Sequence, residues 1–194
     1  MTMRVFTIST VVCISVASVL AAGQAATKLP KGPERFSANV QATQGASSAA
    51  TILMVAIDRY PSDKERAPVA EALRTGGYPA FLVALRKSPT VGHIEIGDKK
   101  YNLRWASQRA TPNGRSVVAV TDEPIYFLGG GRVEAKPKAG YEVGVVQFEV
   151  DDVGLGSGTI ALAARVKPGG ATGVVLDDYA EVPAKLVTVR KLLG

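Results

Sequence analysis

The chain has 194 residues, 46% of them hydrophobic and 21% charged, with 23 Lys and Arg against 17 Asp and Glu for a formal net charge of +6. This is globular composition rather than disorder, and the length suits one domain with a substantial core. A single cysteine and a single histidine exclude a disulfide framework, a thiolate metal centre and any site built on two histidines. The positive charges are scattered singly along the chain. Such an excess suits anionic polymers or lipid head groups, yet solubility alone accounts for it, and no nucleic-acid partner is expected.

The first segment pairs Arg4 with an uncharged, mostly apolar run from Val5 to Leu20 and then the small residues Ala21-Ala22-Gly23-Gln24-Ala25-Ala26. This is the pattern of a secretory signal peptide over residues 1–25, cut before Ala26. A permanent anchor is the rival reading, but the run falls short of the ~20 apolar residues a spanning helix needs. Cys13 lies inside the run without the small residues that precede a lipoprotein cysteine, so the exported chain carries no thiol and no membrane span. Its expected location is the periplasm or the exterior.

Residues 26–35, with Lys28-Leu29-Pro30-Lys31-Gly32-Pro33, read as a flexible segment ahead of a single domain over 36–194. Phe36 to Ala42 is the first strand, and the near-continuous apolar run Thr51 to Asp58 is the second, of the kind covered on both faces. Ser62-Asp63-Lys64-Glu65 matches a capping box and opens a helix, with Val69, Ala72 and Leu73 on its apolar face. Pro68 should kink it and Gly76-Gly77 should end it. Tyr78, Phe81, Leu82 and Leu85 then repeat at helical spacing up to Ser88-Pro89, which makes a pair of short helices near residues 62–88.

From Val91 onward the period becomes two. His93 to Ile96 turns at Gly97-Asp98 into a strand in which Tyr101, Leu103, Trp105 and Ser107 alternate with Asn102, Arg104, Ala106 and Gln108. Thr111-Pro112-Asn113-Gly114 is the next turn and Ser116 to Thr121 the next strand. After Asp122-Glu123-Pro124, Ile125 to Leu128 extends the run, and Gly129-Gly130-Gly131 opens a long connection to Ala139. Tyr141 to Val150 and Thr159 to Val166 form a second hairpin, and Gly173 to Leu176 and Ala184 to Arg190 complete the set. Seven to nine short strands with all helical signal confined to one stretch predict an α+β domain, mainly antiparallel β, as a barrel or a sandwich.

The segments Ile57-Asp58-Arg59-Tyr60, Tyr101-Asn102-Leu103-Arg104-Trp105-Ala106 and Thr121-Asp122-Glu123-Pro124-Ile125 resemble a recurring pattern in exported bacterial proteins of unassigned function. The resemblance spans Phe36 to Leu193 and implies export and an intact domain. It carries no activity.

Catalytic signatures are sparse. No Gly-x-Ser-x-Gly elbow accompanies His93, which reads as an alternate residue on a hairpin. Gly129-Gly130-Gly131 and Gly154-x-Gly156-x-Gly158 lack the context of a phosphate loop and read as turns. Glu149, Asp151 and Asp152 lack the ligand pattern of a calcium loop, so neither a metal nor a cofactor is expected. The informative set is Asp58, Arg59, Tyr60, Arg104, Trp105 and Asp122, where charges interrupt apolar strands. Buried charges come as compensated pairs, so Arg104 should pair with Asp58 or Asp122. Two meanings remain open for the set: a polar and aromatic binding patch, or a structural ion pair beside a core tryptophan. The function expected is a non-enzymatic exported domain that binds a small or amphipathic ligand, or a partner protein, in the cell envelope. The alternative is an envelope hydrolase using Asp58 and Asp122 with Arg104.

Overall fold

The computed structural model describes residues 29–44, 47–125, 138–170 and 173–193. The leader, the Tyr126–Leu128 extension and the Gly129–Gly131 cluster lie outside these. The described elements run β1 (Glu34–Gln44), β2 (Ser47–Ile57), α1 (Asp63–Lys87), β3 (Gly92–Ile96), β4 (Lys99–Thr111), β5 (Gly114–Thr121), β6 (Val143–Val150), β7 (Leu155–Gly169), β8 (Gly173–Tyr179) and β9 (Ala184–Leu192).

The strands pair antiparallel in the order β6-β5-β4-β3-β2-β1-β9-β7, and β7 returns to β6. The sheet therefore closes as an eight-stranded barrel, which leaves none of the eight with an open edge. β7 is long enough to serve two partners in succession. Its first half pairs with β9 and its second half runs past the barrel to pair with β8, the one extra strand.

Alternation sends one face of each strand inward. Phe36, Leu53, Ile94, Leu103, Phe148 and Ile160 fill the interior at no more than 1% exposure, with the Phe36 and Phe148 rings 4.8 Å apart. Closure leaves the outer wall to be covered, and α1 covers only the part formed by β4 to β8. Leu73, Phe81 and Leu85 pack there against Trp105, Val145 and Val166. Each fully buried side chain of this size contributes about 1.5 to 3 kcal/mol. This second core explains why β5 is buried at every position: one face looks into the barrel and the other lies beneath the helix.

Several expectations are corrected by this geometry. β1 starts at Glu34 and buries it, so the strand begins within the segment read as flexible. The outer face of β2 is largely uncovered, because α1 lies over a different sector: Ile52 there is 61% exposed, while only Ala56, at 7%, is buried. The capping box forms as read, Glu65 N donating to Ser62 and Ser62 N donating to Glu65. Pro68 leaves the helical dihedrals intact, since only the Lys64 carbonyl loses its donor there, whereas Gly77 (φ 66°) breaks α1 into two segments closed by Ser88.

In β4 the register passes from Leu103↔Thr121 to Trp105↔Val120, so Arg104 is the extra residue of a bulge. One added residue reverses parity. Tyr101 and Leu103 point inward, but so do Ala106 and Gln108, while Trp105 and Ser107 turn outward beneath α1. Gly156 and Gly158 are strand residues rather than turn residues. A Cβ on Gly156 would stand 1.7 Å from the Glu149 carbonyl oxygen, so glycine lets β6 approach β7 where β9 already flanks the other edge.

Candidate functional site at the barrel mouth

The inward parity of β1 and β5 does not stop at the apolar residues. One step before Phe36 it reaches Glu34, and one step before Val117 it reaches Arg115; both point into the same open end of the barrel. Arg115 Nη1 and Nη2 donate to Glu34 Oε2 and Oε1, each at 2.7 Å. Lys191 Nζ, at the end of β9, lies 2.8 Å from Oε1, and the Tyr60 hydroxyl donates to Oε2 at 3.0 Å. Gln108 accepts from Arg115 Nη1 at 2.6 Å and donates to the Pro30 carbonyl. The Arg115 guanidinium also lies over the Phe36 ring at 5.5 Å, joining the polar plug to the core beneath it.

Burial opposes the Glu34 charge, but hydrogen bonds from Arg115, Lys191 and Tyr60 outweigh it and hold the carboxyl below its ordinary range. The Tyr60 hydroxyl is pushed well above its usual value by burial and by the Glu34 charge, so it remains a neutral donor. Arg115 is raised: burial opposes its charge, and Glu34 overcomes that. A carboxylate that already accepts from four donor groups of three side chains on its two oxygens is not poised to take a proton from a substrate. The arrangement closes the barrel end.

Outside this plug lies an open depression of about 290 Å³, lined by Pro30, Gly114, Arg115, the Asp151–Gly154 turn and Lys191. A second, of about 200 Å³, sits on the uncovered wall between Arg35, Met54, His93, Glu95 and Lys100. Both fall below the ~300 Å³ at which pockets begin to enclose a drug-sized ligand. The Asp151 carboxylate accepts from Val153 N at 3.0 Å and Leu155 N at 2.8 Å, so it builds the turn. Among the described residues no group of three or more His, Cys, Asp or Glu side chains converges as a metal site, and no helix is long and apolar enough to cross a membrane.

The six residues singled out from sequence are divided between two places. Tyr60 joins the mouth cluster. Asp58 is exposed beside it, its backbone N–H donating to Val91, and Arg59 pairs with Glu65 at 2.7 Å. Arg104 and Asp122 do form the expected pair, Nε to Oδ2 at 2.6 Å, and Arg104 Nη1 also caps the Ser88 carbonyl at 3.0 Å. With Arg86 donating to the Asp122 carbonyl, this group staples the end of α1 to the β4–β5 wall. Trp105 is 1% exposed beneath the helix and donates to Ser107. His93 faces Glu95 at 3.2 Å on the outer wall. Glu34, Arg115, Gln108 and Lys191 were not among the predicted site residues. Extending the strand parity by one step of two residues, from Phe36 to Glu34 and from Val117 to Arg115, would have found the first two.

Comparison with protein-family models, with curated proteins and with solved structures finds no match.

Proposed function

We propose that this chain is an exported, non-enzymatic binding domain of the cell envelope that meets an amphipathic ligand or a partner protein on the outside of its barrel, at the mouth. The observation that carries the reading is a contrast at one end of the barrel. The interior is filled and its carboxylate saturated, while the rim just outside leaves Val153 79% and Leu155 49% exposed. Adjacent exposed apolar side chains rimmed by charged ones, unlike apolar residues scattered singly, support a contact surface. The signal-peptide pattern of residues 1–25 supports a location in the periplasm or outside the cell.

The test is to isolate the protein from its own envelope, compare native and denatured masses, and place a photo-crosslinker at Val153 and, as control, at Val83. A retained mass or an adduct specific to position 153 supports the reading. Turnover on a hydrolase panel that disappears with both Asp58→Asn and Asp122→Asn would replace it with the enzyme alternative.

A further inference from the structure

Among the described residues, three of the seven exposed large hydrophobic side chains are gathered on the rim of the mouth: Val153, Leu155 and Leu193, the last fully exposed. Register brings them together. Leu155 lies opposite Arg190, and Lys191 N donates to the Gly154 carbonyl at 2.8 Å, so the end of β9 runs antiparallel to the β6–β7 turn and carries Leu193 toward its tip. The Asp151 carboxylate, accepting from Val153 N and Leu155 N, fixes the turn that presents both side chains, so little ordering cost attaches to contact.

The same register arranges the charges of this patch. Asp152 stands exposed at the tip of the turn, Arg190 stands exposed beside Leu155 at the other end, and among the described residues neither forms an ion pair. Of their charged neighbours, Asp151 is bound into its turn, Lys191 is held by Glu34, and Arg35 faces the outer-wall depression beside Glu95, which leaves Asp152 and Arg190 to set the orientation of a partner. From Asp152 to Leu155 the chain spans at most about 10 Å, and along that line the order is acid, apolar, base. A half-turn about an axis through the middle of the patch reverses this order. A second copy laid face to face therefore sets the apolar side chains of the two copies against each other and each Asp152 against the other copy's Arg190. A partner of a single charge sign would match one end and be repelled by the other, whereas the reversed copy satisfies both.

From these observations we infer that the rim formed by Asp152, Val153, Leu155, Arg190 and Leu193 is a two-fold self-association surface, so that the partner met at the mouth is a second copy of this chain. The inference rests on the reading of the mouth as a contact surface, and it names the partner. Three apolar side chains make the centre of an interface smaller than the ~800 Å² per copy of a standard one, so the dimer is weak, with a dissociation constant of roughly 10 to 100 μM. The two charged contacts fix its register, and the apolar centre holds it together.

The test uses protein produced from the full-length chain and isolated from the envelope. Sedimentation equilibrium over roughly 1 to 300 μM, which brackets that constant, should show a monomer–dimer equilibrium. Arg190→Glu and Asp152→Arg, both at exposed positions, should each weaken it by about tenfold or more, since each change sets like charges against each other at both contacts. An equimolar mixture of the two variants should restore association, because each then offers at both contacts the sign its partner needs. Lys87→Glu, the same charge change at the exposed end of α1, should leave association unchanged and should not rescue Asp152→Arg. Circular dichroism of each variant separates a lost contact from a lost fold. No association up to the top of that range, association indifferent to both reversals, or a mixture no better than its components overturns the inference. If it falls while the photo-crosslinker at Val153 still joins the chain to a different protein, the reading of the mouth as a contact surface stands; if position 153 yields no adduct at all, both fall.

Discussion

Replacing Glu34 by Gln removes the charge on which the mouth is built and leaves its shape. Arg115, 9% exposed, would then face only neutral acceptors, the new amide oxygen and Gln108, and Lys191 would lose its charge partner. Breaking a buried pair from one side costs about 3 to 5 kcal/mol, against a total stability of about 5 to 15 kcal/mol for a domain. Urea unfolding followed by the fluorescence of Trp105, the single tryptophan and 1% exposed, gives the assay. With a slope of about 2 kcal/mol per molar urea, the midpoint should fall by roughly 1.5 to 2.5 M. Arg115→Met should cost less, about 2 kcal/mol, because Lys191 and Tyr60 still serve Glu34. Glu34→Leu combined with Arg115→Met removes both charges and should cost less than Glu34→Gln alone. A loss below about 1 kcal/mol for Glu34→Gln, or a double variant equal to the sum of its singles, would refute the claim that the pair is a buried, coupled unit.

Acid should act through the same carboxylate. Glu34 titrates lower in the folded protein than in the unfolded chain, so its contribution is intact above the unfolded value of about 4.3 and is lost as pH falls from there through the folded value. Stability measured against pH should therefore drop more steeply below that point in the native protein than in Glu34→Gln. Gly156→Ala, which sets a Cβ against the Glu149 carbonyl, should destabilise by more than about 2 kcal/mol and speed amide exchange most where β6 meets β7. Leu73→Ala, on the buried face of α1 at 2% exposure, should cost about 2 to 5 kcal/mol by calorimetry; a loss under 1 kcal/mol would mean that the helix is not held by its apolar face.

Local rules carried much of this fold because they depend on neighbours in the chain. The capping box at Ser62 and Glu65, the break at Gly77, the Gly97-Asp98 turn and the alternation of Val146, Phe148 and Val150 were all legible, since each depends on residues only a few positions apart. Arg104 with Asp122 was legible too, as two charges interrupting apolar strands that need each other. Trp105 was not placed correctly on its strand, because the bulge at Arg104 is fixed by how β4 meets β5 and leaves no local mark.

The sequence by itself determined the strand-rich class and, among the described residues, the confinement of helix to the one stretch opened by Ser62. Only tertiary structure chose barrel over sandwich, since both impose the same period of two and differ solely in whether β7 finds β6. It alone also joined Glu34 to Arg115, 81 positions away, and gathered Val153, Leu155 and Leu193 on one rim. A contact between distant residues is settled by closure of the sheet, whose stagger decides which strand ends share a mouth.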